Sequence, residues 1–241
     1  MNTYKIKAPK PYMIAHRGVS GLERENTCAA FIAAGNRSYF GIETDVHQTA
    51  DGKYVIIHDD TTTRVTGKEL VVEETELAVL RQLRLFDLHT DLPRGDLCLP
   101  TLEEYISICK KYEKVAVLEL KNRMPAKAVE EIVEIVADCG YLENTIFISF
   151  SLENLIDLRA SFPEQPAQYL VSKIDDLDEL IETLKKYTLD LDTKHVAVTE
   201  EIVAKLHDHG IKVNVWTVDS PEDAQNLIRM GVDFITTNIL E

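Results

Sequence analysis

The strongest constraint on the fold is a regular alternation of two kinds of segment along the chain. Short runs rich in β-branched residues are separated by longer segments whose apolar residues recur with helical period. Strands that alternate with helices are typical of βαβ units and of a parallel sheet. We predict eight such strands, at residues 12–15, 41–46, 115–120, 145–149, 167–170, 188–191, 212–217 and 234–236.

Helices are predicted between these strands, at residues 26–35, 101–112, 125–139, 152–161, 174–186, 200–209 and 221–230. Side-chain oxygens precede the first turns and glycines follow several of the last turns, as helix capping requires. The N-cap candidates are Asn26, Thr101, Ser151, Thr199 and Ser220, and the glycines are Gly140, Gly210 and Gly231. Because TIM-type (β/α)8 barrels need roughly 250 residues, the 241 residues predict an α/β fold of that type. Two domains of about 120 residues are the alternative.

Residues 53–100, between the second and third barrel strands, interrupt this alternation. They contain an extra apolar run at 54–57, then turn-rich and charged sequence with a predicted helix near 74–83. The sequence has no low-complexity tract and no Pro/Gly-rich linker that would divide it. We therefore expect one domain over residues 1–241, with a small inserted subdomain at about 53–100 after the second barrel strand.

Composition excludes some classes of protein. The chain has 26 basic and 41 acidic side chains, a formal charge of −15, which argues against binding the phosphate backbone of nucleic acids. It has no run of 18 apolar residues, so we expect no integral membrane segment. The N-terminus lacks the apolar region of a secretory signal, and we expect a cytoplasmic protein. The four cysteines are scattered, and we expect reduced thiols without a chemical role.

Acidic residues lie in the strands at whose carboxyl ends TIM barrels carry their active sites. Glu43 and Asp45 are two residues apart, so their side chains point to the same face of a strand, and Glu119 and Lys121 have the same spacing. A buried carboxylate in an apolar strand needs a positive partner. That partner is either a hard divalent cation, Mg²⁺ or Ca²⁺, or a network of lysine and arginine. The spacing leaves both alternatives open.

Two histidines and an arginine lie near the same strand ends. His16 and His58 would suit a general acid and a general base beside a metal, although a histidine at a strand end is more often a hydrogen-bonded core residue. Arg17 has a planar guanidinium that fits a phosphate, and its alternative is a salt bridge to a barrel acid. The sequence lacks the motifs of P-loop proteins, zincins and serine hydrolases.

Seven short motifs, taken in order, resemble those of the glycerophosphodiester phosphodiesterase family. The resemblance runs from about residue 12 to 238, nearly the whole chain. Each motif is short, and their shared order on the expected strands carries the resemblance. The motifs are Met13-Ile-Ala-His-Arg-Gly18, Glu25-Asn-Thr27, Gly41-Ile-Glu-Thr-Asp45, Val55-Ile-Ile-His-Asp59, Leu99-Pro-Thr-Leu-Glu103, Leu118-Glu-Leu-Lys121 and Val215-Trp-Thr-Val218.

The resemblance implies a TIM-type barrel with a small inserted subdomain, and a function for residues at its mouth. The implied activity is hydrolysis of glycerophosphodiesters, which are small molecules, to glycerol 3-phosphate and an alcohol, with one divalent cation, Mg²⁺ or Ca²⁺. Matching positions imply the roles of individual residues. The implied metal ligands are Glu43, Asp45 and Glu119, the acid–base pair is His16 and His58, the phosphate-binding residues are Arg17 and Lys121, and the aromatic residues of the substrate cleft are Phe150 and Trp216.

Two positions depart from the family pattern. Arg24 replaces the proline that usually precedes Glu-Asn-Thr, and Asn238 stands where the last strand usually ends in aspartate. Neither is a metal or acid–base position, so we expect effects on the first loop and on the rim of the site. A phosphodiesterase that releases head groups from lysophospholipids and a non-catalytic binding module on the same barrel are the alternative functions.

Overall fold

The structure is a computed structural model that describes residues 2–6 and 11–241. Its strands are β1 (Tyr12–Ala15), β2 (Gly41–Gln48), β3 (Tyr54–Ile56), β4 (Val115–Leu120), β5 (Thr145–Ser149), β6 (Ala167–Val171), β7 (Asp190–Lys194), β8 (Val213–Trp216) and β9 (Phe234–Thr237). Its α-helices are α1 (Cys28–Gly35), α2 (Thr63–Thr66), α3 (Leu77–Leu80), α4 (Leu102–Lys111), α5 (Ala126–Asp138), α6 (Leu152–Ser161), α7 (Leu177–Tyr187), α8 (Glu200–Asp208) and α9 (Pro221–Met230). Short 3₁₀ turns cover Val72–Glu74, Leu142–Asn144 and His195–Ala197.

Eight parallel strands close into a barrel, which confirms the predicted TIM-type (β/α)8 fold. The order around the barrel is β1, β2, β4, β5, β6, β7, β8 and β9. Closure comes from β1, which pairs in parallel with β2 on one side, where Ile14 is opposite Gly41, and with β9 on the other, where Tyr12 is opposite Phe234. Because all eight run the same way, their carboxyl ends meet at one mouth.

Apolar side chains fill both the barrel and the layer outside it. A small cluster occupies the interior and consists of Ile14, Val117, Ile148, Leu170 and Phe234. The larger core lies between strands and helices, where the rings of Phe31 on α1 and Tyr105 on α4 pack edge to face with centroids 5.0 Å apart. The Tyr105 hydroxyl donates to the Ile42 carbonyl at 2.6 Å and so ties α4 to β2. The packed interior supports the mouth from below.

The segment between β2 and β4 packs around a hydrophobic cluster of its own. β3 pairs antiparallel with the end of β2, and the cluster around it is built from Val55, Ile57, Val65, Val72, Leu80, Leu85, Leu97 and Leu99. Arg24 donates to the carbonyls of Phe86 and Asp87, at 2.7 and 2.6 Å, contacts that a proline could not make. The departure at position 24 thus joins the first loop to this segment. That the segment between β2 and β4 is an insertion within a single domain stays a prediction.

The helix predicted at 74–83 is wrong in extent. A 3₁₀ turn ends at Glu74 and α3 covers only Leu77–Leu80, with an extended backbone between them. Contacts from the loop after β2 hold that backbone extended, since Thr75 O accepts from Ala50 N at 3.2 Å and Leu77 N donates to Asp51 Oδ1 at 3.0 Å. Tertiary hydrogen bonds therefore override the local helical pattern.

Two predicted boundaries also need correction. Thr27 caps α1, accepting from Ala30 N at 3.2 Å, whereas the predicted cap Asn26 has φ +53° and turns into the barrel mouth. β7 begins at Asp190, two residues later than predicted, because Thr188 adopts a left-handed conformation and ends α7. Across the described residues, no helix combines the length and the apolar character that crossing a bilayer requires.

Candidate active site

A cavity opens at the carboxyl ends of the barrel strands. Seven of the nine residues predicted for the site line it. The lining residues are His16, Arg17, Glu43, His58, Glu119, Ile148, Phe150, Leu170, Asp192, Trp216 and Thr236. The other two predicted residues, Asp45 and Lys121, contact this lining through ion pairs, since Arg17 lies beside Asp45 and Lys121 beside Glu119. The fold therefore brings all nine together.

Three carboxylates converge at one side of the cavity. The register of β2 and β4 sets Asp45 opposite Glu119, and Glu43 lies on the same face of β2 as Asp45. One oxygen from each of the three lies within 4.8 Å of the others, and all three side chains are buried. Such a cluster is electrostatically unfavourable unless positive charge or protons compensate it.

The pKa values show how the cluster responds to this crowding. Burial and the charge of Asp45 raise the pKa of Glu119 to about 8 and raise that of Glu43 well above its ordinary value. Burial opposes ionisation of Asp45 as well, yet Arg17 and Lys121 outweigh it and hold the Asp45 pKa below its usual range. Asp45 is therefore the member of the cluster whose ionised form is favoured, whereas burial and crowding favour the protonated forms of Glu43 and Glu119.

Two cationic side chains contact the cluster. Lys121 Nζ lies 2.9 Å from Glu119 Oε1 and 3.5 Å from Asp45 Oδ1. The Arg17 guanidinium lies 3.6 Å from Asp45 Oδ2 and donates to Glu25 Oε1 at 2.8 Å. The backbone N–H of Arg17 donates to Glu43 Oε2 at 2.8 Å. Arg17 Nε itself has no hydrogen-bond partner among the described residues. Both cationic side chains are thus held at the cavity and keep N–H groups that can donate to a ligand.

The backbone after β1 turns sharply to deliver these groups. Arg17 and Gly18 both have positive φ, at +53° and +75°. A side chain at Gly18 would approach Ala30 to 2.7 Å, so α1 packs directly against this glycine. Left-handed backbone and close helix approach together require glycine at position 18.

His16 is held in one orientation by a polar chain at the rim. Its Nδ1 lies 2.8 Å from Asn238 Oδ1, and Asn238 Nδ2 donates to Asp219 Oδ2 at 2.6 Å, so the amide oxygen faces the imidazole. Nδ1 therefore carries the proton and Nε2 is free to accept one. Burial and the nearby Arg17 lower the His16 pKa to about 4, which keeps the ring neutral at pH 7. Nε2 lies 4.0 Å from Glu43 Oε2.

His58 is oriented by a different set of contacts, from the segment after β3. Its Nδ1 donates to Asp59 Oδ1 at 2.7 Å, and Arg64 joins Asp59 to Glu25 through contacts of 2.7 Å each. Burial lowers the His58 pKa, and the charge of Asp45 opposes that shift. Because Glu25 also pairs with Arg17, one ion-pair network connects the two histidine-bearing loops.

Aromatic residues form another part of the cavity wall. The rings of Phe150 and Trp216 meet edge to face with centroids 5.8 Å apart. Phe150 is 45% exposed, so its ring is available to a ligand and is not a core side chain. Lys194 Nζ lies 5.8 Å from the Trp216 ring centroid.

Sequence reasoning missed two residues at the site. Asn26, predicted as a helix cap, donates to Asp45 Oδ2 at 2.7 Å and accepts from the Thr44 hydroxyl at 2.7 Å. Asp192 lines the cavity from β7, a strand whose predicted end, residue 191, was three residues too early. The spacing of Asp190 and Asp192 repeats that of Glu43 and Asp45 and would have indicated an inward-facing acid.

Comparison with known proteins gives one family. The model described as "Glycerophosphoryl diester phosphodiesterase family" matches residues 16–241. The glycerophosphodiester phosphodiesterase of Caldanaerobacter subterraneus subsp. tengcongensis is 29% identical over 231 residues, which cover 95% of this chain and 94% of that protein.

Solved structures agree with that match. An Oleispira antarctica phosphodiesterase, in complex with the product sn-glycerol-3-phosphate, has a TM-score of 0.83 at 28% identity and covers 95% of this chain and 93% of its own. A glycerophosphodiester phosphodiesterase from Parabacteroides distasonis has a TM-score of 0.75 at 26% identity, with 99% of this chain and 94% of its own covered. The likeness thus extends over nearly the full barrel.

The raised pKa of Glu119 predicts how stability depends on pH. In protein stripped of divalent cations, folded Glu119 keeps its proton up to about pH 8, while in the unfolded chain it ionises near 4.5. The unfolded state binds fewer protons in that window, so the free energy of unfolding falls as pH rises through it. Glu119→Gln removes this contribution and should raise the Tm at pH 8 more than at pH 5, by about 2–4 °C per kcal/mol gained.

Thermal unfolding with a chelator present measures the effect. Glu134→Gln, at an exposed position of α5, is the control and should keep the wild-type pH dependence. Identical pH profiles for the wild type and Glu119→Gln would contradict the raised pKa.

Proposed function

The chain belongs to the glycerophosphoryl diester phosphodiesterase family and is a hydrolase of phosphodiesters, and we propose that a divalent cation and two histidines carry its reaction. The proposed substrates are glycerophosphodiesters, which the enzyme hydrolyses to glycerol 3-phosphate and an alcohol. The observation that carries this proposal is the buried cluster of Glu43, Asp45 and Glu119 at the barrel mouth.

The donor set fits a hard divalent cation. It consists of carboxylate oxygens alone, which favours Mg²⁺ or Ca²⁺ over zinc. Asp45 Oδ1 is buried, makes no hydrogen bond within the described residues and lies 3.5 Å from Lys121 Nζ, so it keeps lone pairs that can bind a cation. With all three carboxylates ionised, as metal ligands are, the charges of Arg17 and Lys121 leave the site with one net negative charge. A bound divalent cation makes the net charge positive, which suits an anionic phosphodiester. When bound, the cation supplies Lewis-acid stabilisation of a phosphoryl oxygen.

Arg17 and Lys121 bind the phosphate in this proposal. Both are already held at the cluster by ion pairs, so little side-chain entropy is lost when substrate arrives. Their charges offset the negative charge that develops on the phosphoryl oxygens in the transition state. Phe150 and Trp216 pack against the organic part of the substrate. The exposure of the Phe150 ring supports this role.

His16 acts as the general base and His58 as the general acid. A neutral His16, with its proton fixed on Nδ1 by Asn238, presents the Nε2 lone pair to a nucleophile. His58 donates from Nδ1 to Asp59. Burial lowers the His58 pKa, and the negative charges of Asp45 and Asp59 offset part of that shift, so that the protonated ring can give a proton from Nε2 to the departing alkoxide. The nucleophile is either water or the glycerol 2-hydroxyl of the substrate, and His16 can serve both routes.

Activity on a panel of substrates tests the proposed function. Chelator-treated enzyme resupplied with Mg²⁺ or Ca²⁺ should release glycerol 3-phosphate from glycerophosphocholine, glycerophosphoethanolamine and glycerophosphoglycerol. Without added cation, or in Glu43→Gln, kcat/KM should fall at least about 10²-fold, because several kcal/mol of transition-state stabilisation are lost. The control Glu134→Gln should keep full activity.

Three results contradict this assignment. They are turnover that survives exhaustive chelation, absence of turnover on every glycerophosphodiester, and a preference for lysophosphatidylcholine over all of them.

Replacing either histidine should separate the two proton-transfer roles. His16→Ala and His58→Ala should each lower kcat on glycerophosphocholine by about 10²–10⁴-fold. A p-nitrophenyl ester of glycerol phosphate has a leaving group that needs no proton, so it should restore much of the loss in His58→Ala and little in His16→Ala. His209→Ala, at an exposed position just after α8, is the control. Near-normal turnover of glycerophosphocholine by His58→Ala would rule out its role.

A further inference from the structure

Asp192 on β7 is a buried acid of the cavity that the proposed mechanism does not use. It is 2% exposed, lines the cavity, and its Oδ1 has no hydrogen-bond partner among the described residues. Four steps around the eight-stranded barrel separate β7 from β2, so Asp192 approaches the cavity from the side across from Glu43 and Asp45. It is also absent from the group of acids whose oxygens lie close enough to share a cation.

The polar groups beside Asp192 are already engaged with one another. Its partner in register on β8 is Asn214, whose Nδ2 donates to Gln168 Oε1 at 3.0 Å and whose Oδ1 accepts from the Thr236 hydroxyl at 3.1 Å. The other cavity neighbours on β5 and β6 are apolar, Ile148 and Leu170. Among the described residues, no side chain therefore satisfies the Asp192 carboxyl, and a buried polar group without a partner costs the fold stability. A ligand in the cavity would remove that cost.

A second unpartnered polar group of the cavity narrows the chemistry of that ligand. The indole N–H of Trp216, on the adjacent strand β8, is buried and has no acceptor within the part of the chain that the structure describes. A hydroxyl group can donate to a carboxylate and accept from an indole N–H. An ammonium group cannot accept a hydrogen bond, and a quaternary ammonium cannot donate one either.

We propose that Asp192 is a specificity-determining residue that binds a hydroxyl group of the substrate, with the Trp216 N–H as the second partner of that hydroxyl. The inference rests on the proposed hydrolysis of glycerophosphodiesters. The hydroxyl belongs either to the glycerol half that all these substrates share or to a hydroxylated head group. In both cases Asp192 holds the organic part of the substrate across the cavity from the carboxylate cluster.

Kinetics of Asp192→Leu and Asp192→Asn test the proposal with three substrates. These are glycerophosphocholine, glycerophosphoglycerol and bis(p-nitrophenyl) phosphate, of which the last has no hydroxyl. Asp192→Leu should lower kcat/KM on the hydroxylated substrates by about 10–100-fold, mainly through KM, while bis(p-nitrophenyl) phosphate changes less than about 2-fold. Asp192→Asn keeps one acceptor and should lose less. A loss on both hydroxylated substrates identifies the glycerol half, and a loss on glycerophosphoglycerol alone identifies the head group.

Asp190→Asn is the matched control on the same strand. Asp190 accepts from the backbone N–H of Lys212 and does not line the cavity, so this variant should keep wild-type KM values. Asp192→Leu should keep or raise the Tm, because it removes a buried carboxyl without a partner. If Asp192→Leu does not fold, the KM values of Asp192→Asn decide the question alone.

Three results would overturn the inference while the proposed function stands. They are unchanged kcat/KM on both hydroxylated substrates, an equal loss on bis(p-nitrophenyl) phosphate, and a loss of Mg²⁺ binding measured by calorimetry, which would make Asp192 a metal ligand. A wild-type enzyme that hydrolyses no glycerophosphodiester would overturn the proposed function and this inference together.

Discussion

Repulsion among three buried carboxylates is the constraint to which the rest of the barrel mouth responds. Two parallel strands set Glu43, Asp45 and Glu119 with oxygens within 4.8 Å of one another. The carboxylates cannot move outward to reduce this repulsion, because the strands that carry them are fixed in the barrel by pairing on both sides. The protein instead brings Arg17, Lys121 and the Asn26 amide to the cluster, and a divalent cation is the remaining compensation that we propose.

The same requirement explains local features that look unfavourable by themselves. Arg17 and Asn26 both have positive φ, which costs free energy for residues other than glycine. In those conformations the Arg17 backbone N–H reaches Glu43 and the Asn26 amide reaches Asp45. The loop between β1 and α1 is therefore shaped by the acids on β2, and the absence of a side chain at Gly18 lets α1 pack closely against this loop.

The periodicity of the sequence was sufficient to predict the barrel fold and the positions of the acids on β2. The alternation of side chains along a strand alone predicts that Glu43 and Asp45 share a face. Periodicity failed where tertiary contacts decide the backbone. The helix at 74–83 is shortened by hydrogen bonds from Ala50 and Asp51, and the start of β7 depends on how Thr188 ends α7. The tautomer of His16 could not be predicted, because it depends on an amide oriented by Asp219, which lies on another loop. The cytoplasmic location and the single-domain organisation stay predictions.

Calorimetric titration of the chelator-treated protein with Mg²⁺ or Ca²⁺, at pH 7 in buffers of different ionisation enthalpy, tests whether the three carboxylates form a cation site. We expect one cation per chain, release of protons because the pKa of Glu119 is raised to about 8, and loss of binding in Glu43→Gln. Absence of binding, or binding that Glu43→Gln leaves unchanged, would contradict the assignment of these carboxylates as a cation site.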